Sequence, residues 1–184
     1  TAVFLDARVM AQITDAVAAL ERVIARPAWQ QRALDRAPQI AGIAHGPAGV
    51  FMGYDFHLAD DGPRLIEINS NAGGAFLNAA LARAHRACCE SFQQVFDPQD
   101  RLRNLDEAFV AMFRAEWQSQ RGDAPLRNVV IVDDVPDAQY LAPEFQMARA
   151  LFAAHGLIAV VADPRELQWR DGALWHPALP AGTP

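Results

Sequence analysis

The chain has 184 residues, is 52% hydrophobic and carries a net charge of −6, which gives a pI near 5.3. Such a length fits one domain or a domain and a further piece, and the apolar share is enough for a core. An acidic balance with no basic stripe speaks against a nucleic-acid backbone binder, no run approaches the ~18 apolar residues of a membrane span, and Thr1 to Leu5 lacks the charged and apolar regions of a signal peptide.

The expectation is therefore a cytoplasmic protein with neither nucleic-acid nor membrane partners. Thr1 is not Met, so at least an initiator is expected to have been removed before it. All sixteen basic residues are Arg, and a chain without Lys cannot offer a lysine point charge to a phosphate. Cys88 and Cys89 are adjacent, a poor geometry for a staple, and read as two small buried hydrophobes in a reducing compartment.

Along the chain, Val9, Ile13, Val17, Leu20 and Ile24 recur at helical spacing and predict an amphipathic helix over 7–25, with Pro27 as its stop. A short helix is expected over 28–36, ended by Pro38. Residues 50–58 then change to a period of two, and Asp60-Asp61-Gly62 signals a turn. Leu65 to Asn69 returns as a second strand, so 50–69 reads as a hairpin. An Ala-rich helix over 75–92 follows, with Leu77 and Leu81 on one face. Asn104 and Glu107 have the spacing of a capping box, opening a helix to about Ser119 that buries Leu105, Phe109, Met112 and Phe113.

Gly122 to Pro125 is the best linker. Beyond it, Val129 to Val132 and Leu157 to Ala162 are apolar runs of the kind buried on both faces. Between them lies a helix over 143–155, with Pro143 near its first position and Gly156 after its end. This is a βαβ unit whose strands should lie parallel. Gln168 to Trp175 around Asp171-Gly172 predicts a small hairpin, with Trp169 and Trp175 as a cross-strand pair.

The informative stretch is Gly53-Tyr-Asp-Phe-His57 with Leu65-Ile-Glu-Ile-Asn-Ser-Asn-Ala-Gly-Gly74. Strand alternation places Asp55 with His57, and Glu67 with Asn69. If a five-residue loop over 59–63 closes the hairpin, 58 faces 64, 57 faces 65 and Asp55 faces Glu67, with Cβ atoms about 5 Å apart. Two carboxylates that close repel unless a proton or cation sits between them. The oxygen donors suit a hard cation such as Mg²⁺ rather than Zn²⁺. Asn71-Ala-Gly-Gly74 leads straight into a helix, where glycines permit close backbone approach and a helix start presents N–H groups to an anion. Simple solvation of an acid pair, and an ordinary turn and cap, would leave the same pattern.

Leu65-Ile-Glu-Ile-Asn69 followed by a Gly-containing loop resembles the metal-site signature of the ATP-grasp ligases, and the Asp55 to Glu67 spacing is similar to theirs. The signature lies early in the chain and an α/β segment follows it. That order resembles the eukaryotic-type glutathione synthetases and the bacterial circularly permuted ATP-grasp proteins, over about Leu5 to Trp175. The resemblance implies an α/β protein in two parts. Residues 1–122 would be the N-terminal part of a permuted ATP-grasp fold carrying the metal-site hairpin. Residues 123–184 would start a Rossmann-like substrate domain, incomplete at Pro184, where the family continues into its nucleotide lobe.

It further implies a carboxylate–amine ligase acting through an acyl-phosphate. Asp55, Glu67 and Asn69 would hold Mg²⁺, Glu67 and Asn69 would bind ATP through it, and Asn71, Gly73 and Gly74 would serve the reacting groups. The substrates would be a small carboxylate and a small amine. The serines that line the peptide substrate in glutathione synthetases fall, by offset from Glu67, at about Ala72 and Gly74, and the phosphate-gripping lysines have no counterpart. The alternative is a truncated, non-catalytic module that binds a ligand or partner. Residues 1–184 alone are expected to be inactive, and an exposed sheet edge is expected to favour self-association.

Other polar residues have plainer readings. His45 and His155 are expected to be structural, and His57 to be solvated beside the polar face. Arg83 and Arg86 lie two to three turns past the Gly-rich loop, where Arg could clamp a carboxylate. Asp133-Asp134 ends a parallel strand, the end at which α/β sheets bind ligands.

Overall fold

A computed structural model describes residues 5–88 and 104–180. Its described residues are mixed helix and strand. The described strands form three separate two-stranded sheets. The chain divides into two compact units, Thr1–Ala72 and Gly73–Pro184, whereas the expected boundary lay at 122–123. Among the described residues, no helix is long and apolar enough to cross a membrane.

In the first unit, α1 (Ala7–Ile24) is opened by the Asp6 side chain, which accepts from the Val9 N–H at 2.7 Å, an N-cap that satisfies one orphan donor. Val9, Ile13, Val17, Leu20 and Ile24 are all half-buried, so the apolar stripe is the face that packs. Pro27 does not simply end α1: it is the first residue of α2 (Pro27–Leu34), where its missing N–H costs nothing. Strands β1 (Gly53–Ala59) and β2 (Gly62–Asn69) pair antiparallel, and α1 packs on β2. The Tyr54 hydroxyl donates to Glu21 at 2.5 Å and ties β1 to α1. That hydrogen bond to a carboxylate pushes the Tyr54 hydroxyl above its usual value. No described residue of this unit is fully buried.

The second unit holds the core. It contains α3 (Ala75–Cys88), α4 (Leu105–Arg121), β3 (Asn128–Val132), α5 (Ala142–Ala154), β4 (Ile158–Ala162), β5 (Gln168–Arg170) and β6 (Ala173–Trp175). Strands β3 and β4 run parallel around α5, as the apolar runs predict. Phe76, Ala79, Val110, Ala148, Phe152, Leu157 and Ala162 are buried. Phe76 meets Phe109 edge-on at 5.1 Å, and Phe113 meets Phe152 at 4.9 Å, geometries favoured by ring quadrupoles. Leu105, Phe109, Met112 and Phe113 are half-buried, while Val110 takes the deepest place on α4. On α3 the packed residues are Phe76 and Ala79, and Leu81 is exposed. The expected end of that helix at 89–92, and Cys89, lie outside the described residues.

Two local expectations are corrected. Asn104 precedes α4 but makes no side-chain cap; its backbone is already helical, at φ −83° and ψ −5°, not the extended form a capping side chain needs. Trp169 and Trp175 do not face each other: Trp169 pairs with Leu174, and Gln168 with Trp175. Asp171 and Gly172 both take positive φ, the form of a two-residue turn that fixes this register. Trp169 is left largely exposed, and the Trp175 indole N–H donates to the Arg170 carbonyl instead.

Asp133 and Asp134 end β3 as expected, and Asp134 meets Arg165 at 3.3 Å. The stronger acid there is Asp163, which accepts from the Arg165 guanidinium, the Arg165 N–H and the Val135 N–H. These donors hold its carboxyl well below the usual carboxylate range. A lowered folded value means that this contribution to stability is present above the ordinary carboxylate value, near pH 4, and is lost only as pH falls through the lowered one. The Asp163 carboxyl-carbon NMR signal is expected to stay that of the ionised form down to about pH 3.

Candidate functional site

The polar face of the β1–β2 hairpin is built by pairing. Asp55 lies opposite Glu67, Tyr54 opposite Ile68 and Gly53 opposite Asn69, as the alternation predicts. Toward the turn the expected register fails by one residue. His57 pairs with Arg64 and Leu58 with Pro63, and Ala59 pairs with Gly62 across a two-residue turn, Asp60-Asp61. The shift is taken up between Asp55 and Phe56, where Ile66 is the extra residue of a bulge. The bulge puts Leu65 opposite Phe56, apolar on apolar, while keeping Glu67 opposite Asp55. Ile66 itself is 67% exposed.

Asp55, His57, Glu67 and Asn69 are all exposed. A side chain at Gly53 would crowd Ala72: an added Cβ would stand 3.1 Å from the Ala72 Cβ, and at an ordinary contact distance of 3.4 Å from that of Asn69. Glycine at 53 therefore leaves room for Ala72, whose N–H closes the loop onto the Phe51 carbonyl at 3.2 Å. Arg64 joins this side of the hairpin beside His57 and pairs with Asp61 at 2.8 Å. Sequence reasoning missed Arg64 because only the bulge brings it opposite His57.

Among the described residues, no group of three or more His, Cys, Asp or Glu side chains gathers as a metal cage. The hairpin instead offers a carboxylate pair with one amide. That donor set fits Mg²⁺, which keeps several waters and is commonly held by one or two carboxylates and substrate phosphates.

The Gly-rich segment is arranged differently from the expectation. The helix start was read as presenting its N–H groups to a ligand, but Glu144 of α5 takes them. Its carboxylate accepts from the Gly74 N–H at 2.5 Å and the Phe76 N–H at 3.0 Å. Glu144 is 6% exposed. A carboxylate at a helix start is well placed for the orphan donors and the helix dipole. Gly74 has φ +98°, in the region that favours glycine. Gly73 makes room for Leu141, which stands at the start of α5: an added Cβ would collide with the Leu141 side chain. Asn71 is exposed. Glu144 went unnoticed because its partners lie some seventy residues earlier; the only local signal was an acid beside Pro143 in the first helical turn.

Two of the remaining candidates have internal partners. Arg83 donates to Asp106 at 2.5 Å and so clamps a carboxylate of its own unit. The His155 ring contacts the Leu151 carbonyl at 2.9 Å through Nδ1, a structural role. His45 is exposed in a loop.

No protein-family model, no curated protein and no solved structure matches the chain.

Proposed function

We propose that the chain is part of a Mg-ATP-dependent carboxylate–amine ligase of the ATP-grasp kind, and that the β1–β2 hairpin is its cation-holding face. The observation that carries this reading is the pairing of Asp55 with Glu67, kept beside the bulge at Ile66. Glu67 and Asp55 supply the charged oxygens. Asn69, opposite Gly53, adds a neutral oxygen and an N–H pair that orient a phosphate. A bound cation there offsets triphosphate charge while a substrate carboxylate is activated for attack by an amine. The Gly73-Gly74 segment has a narrower part in this reading than its sequence suggests: with Glu144 on the N–H groups of Gly74 and Phe76, it anchors the start of α3. The 123–184 region, with its parallel βαβ unit, is assigned to the substrate-binding part.

A second reading is favoured by two observations. The chain has no Lys, and its most obvious anion cradle is filled by its own carboxylate. Both suit a module that binds a ligand without turning it over. The two readings share the hairpin and differ in turnover.

Mn²⁺, used as a probe for Mg²⁺, is expected to broaden NMR signals around Glu67 and Asp55, weakly alone and more strongly with ATP added. Glu67→Gln removes a charged ligand with little change of shape, and is expected to abolish the effect. Broadening that persists in the Gln variant would mean adventitious surface binding and would remove the hairpin from the reading.

A further inference from the structure

We propose that His176 works with Glu166 as a proton-operated latch on the turn that follows β6. The His176 side chain is 8% exposed. Its Nδ1 accepts the Ala178 backbone N–H at 3.2 Å. An accepting ring nitrogen carries no proton, so the neutral imidazole has its hydrogen on Nε2. That Nε2 is buried and has no hydrogen-bond partner. The Glu166 Oε2 lies 3.8 Å away, beyond hydrogen-bond reach. The neutral ring is thus satisfied on one side and unpaired on the other.

One added proton reverses this. It goes to Nδ1, which becomes a donor and can no longer accept from Ala178. The ring becomes a cation whose unpaired N–H now stands beside a carboxylate. Glu166, from the turn Pro164–Glu166 after β4, faces the ring, and Arg170 of β5 lines the same small cavity. Arg170 opposes the charged ring, but its guanidinium is engaged by Gln168. Glu166 Oε2 already accepts the Asp163 N–H at 2.9 Å, and its second lone pair remains for the imidazolium. Asp163 in turn accepts the Val135 N–H at 2.9 Å. The proton therefore exchanges a tether on Ala178 for an ion pair at the loops that end β3 and β4. The Leu179 N–H keeps its bond to the His176 carbonyl at 3.0 Å in either state.

The test is a ¹⁵N-edited NMR titration of the full chain from pH 8 to pH 5, following the His176 ring nitrogens and the Ala178 and Leu179 amides. At pH 8, Nδ1 should resonate as the bare nitrogen and Nε2 as the protonated one. As the ring gains its proton, protection of the Ala178 amide, corrected for intrinsic exchange, should fall about 3–10-fold. Leu179 should not follow. A slowly exchanging Nε2–H should be visible at pH 5 and absent in Glu166→Gln. Protonated Nδ1 at pH 8, a ring still neutral at pH 5, or a ring that titrates while Ala178 stays protected would each overturn the latch. An Nε2–H that persists in Glu166→Gln would overturn its ion-pair half. The wild-type titration decides the Ala178 half even if that variant folds poorly.

Discussion

Replacing Glu144 by Ala is expected to destabilise the protein by about 2–4 kcal/mol. The carboxylate is 6% exposed and accepts two backbone N–H groups at the start of α3. Its loss strands both donors where the side chain had shut out water, and leaves the helix start without its counter-charge. Glu144→Gln keeps one carbonyl oxygen in place and should cost about half as much. Urea unfolding measures both. An Ala variant within 0.5 kcal/mol of wild type, the range of ordinary surface changes, would mean that water replaces the carboxylate freely.

Phe152→Ala should be costlier still, about 3–5 kcal/mol, the usual range for truncating a buried aromatic ring. Phe152 is 1% exposed and meets Phe113 edge-on at 4.9 Å. It therefore joins α5 to α4, and its neighbours on α5, Ala148 and Glu144, face the same interior. Phe152→Leu keeps most of the volume and should cost less than about 1.5 kcal/mol. A thermal melt compares the pair. Equal losses for Leu and Ala would point to the ring contact itself rather than to the cavity.

What could be read from the sequence was what repeats locally. The α1 stripe recurs at 3.6 residues per turn, and its five positions are all half-buried. Asp55 and Glu67 could be placed together because alternation and one turn were enough to pair them. The parallel β3–β4 pair followed from two apolar runs with a helix between them. The misses come from interactions that alternation does not encode. A five-residue loop, and a two-residue turn plus a bulge, use the same number of residues, so the composition of 59–66 could not choose between them. Glu144 acts across about seventy residues. Asn104 has a capping residue's chemistry without its backbone conformation. Trp169 and Trp175 were paired by type, whereas the tight Asp171-Gly172 turn fixes the register one step away.

The bulge at Ile66 also bears on how the hairpin tolerates insertions and deletions. In a regular hairpin the turn sets the pairing of every residue behind it, and a one-residue slip reverses which face each side chain takes. Here the pairing near the turn and the pairing at Asp55 and Glu67 already differ by one residue. Deleting Ile66 would remove only the extra residue: Leu65 still faces Phe56, and Glu67 becomes the next residue along, still opposite Asp55. One residue added to the Asp60-Asp61 tip enlarges the turn and leaves the same pairs available behind it. Length variation among related chains should therefore be tolerated at 60–61 and at 66.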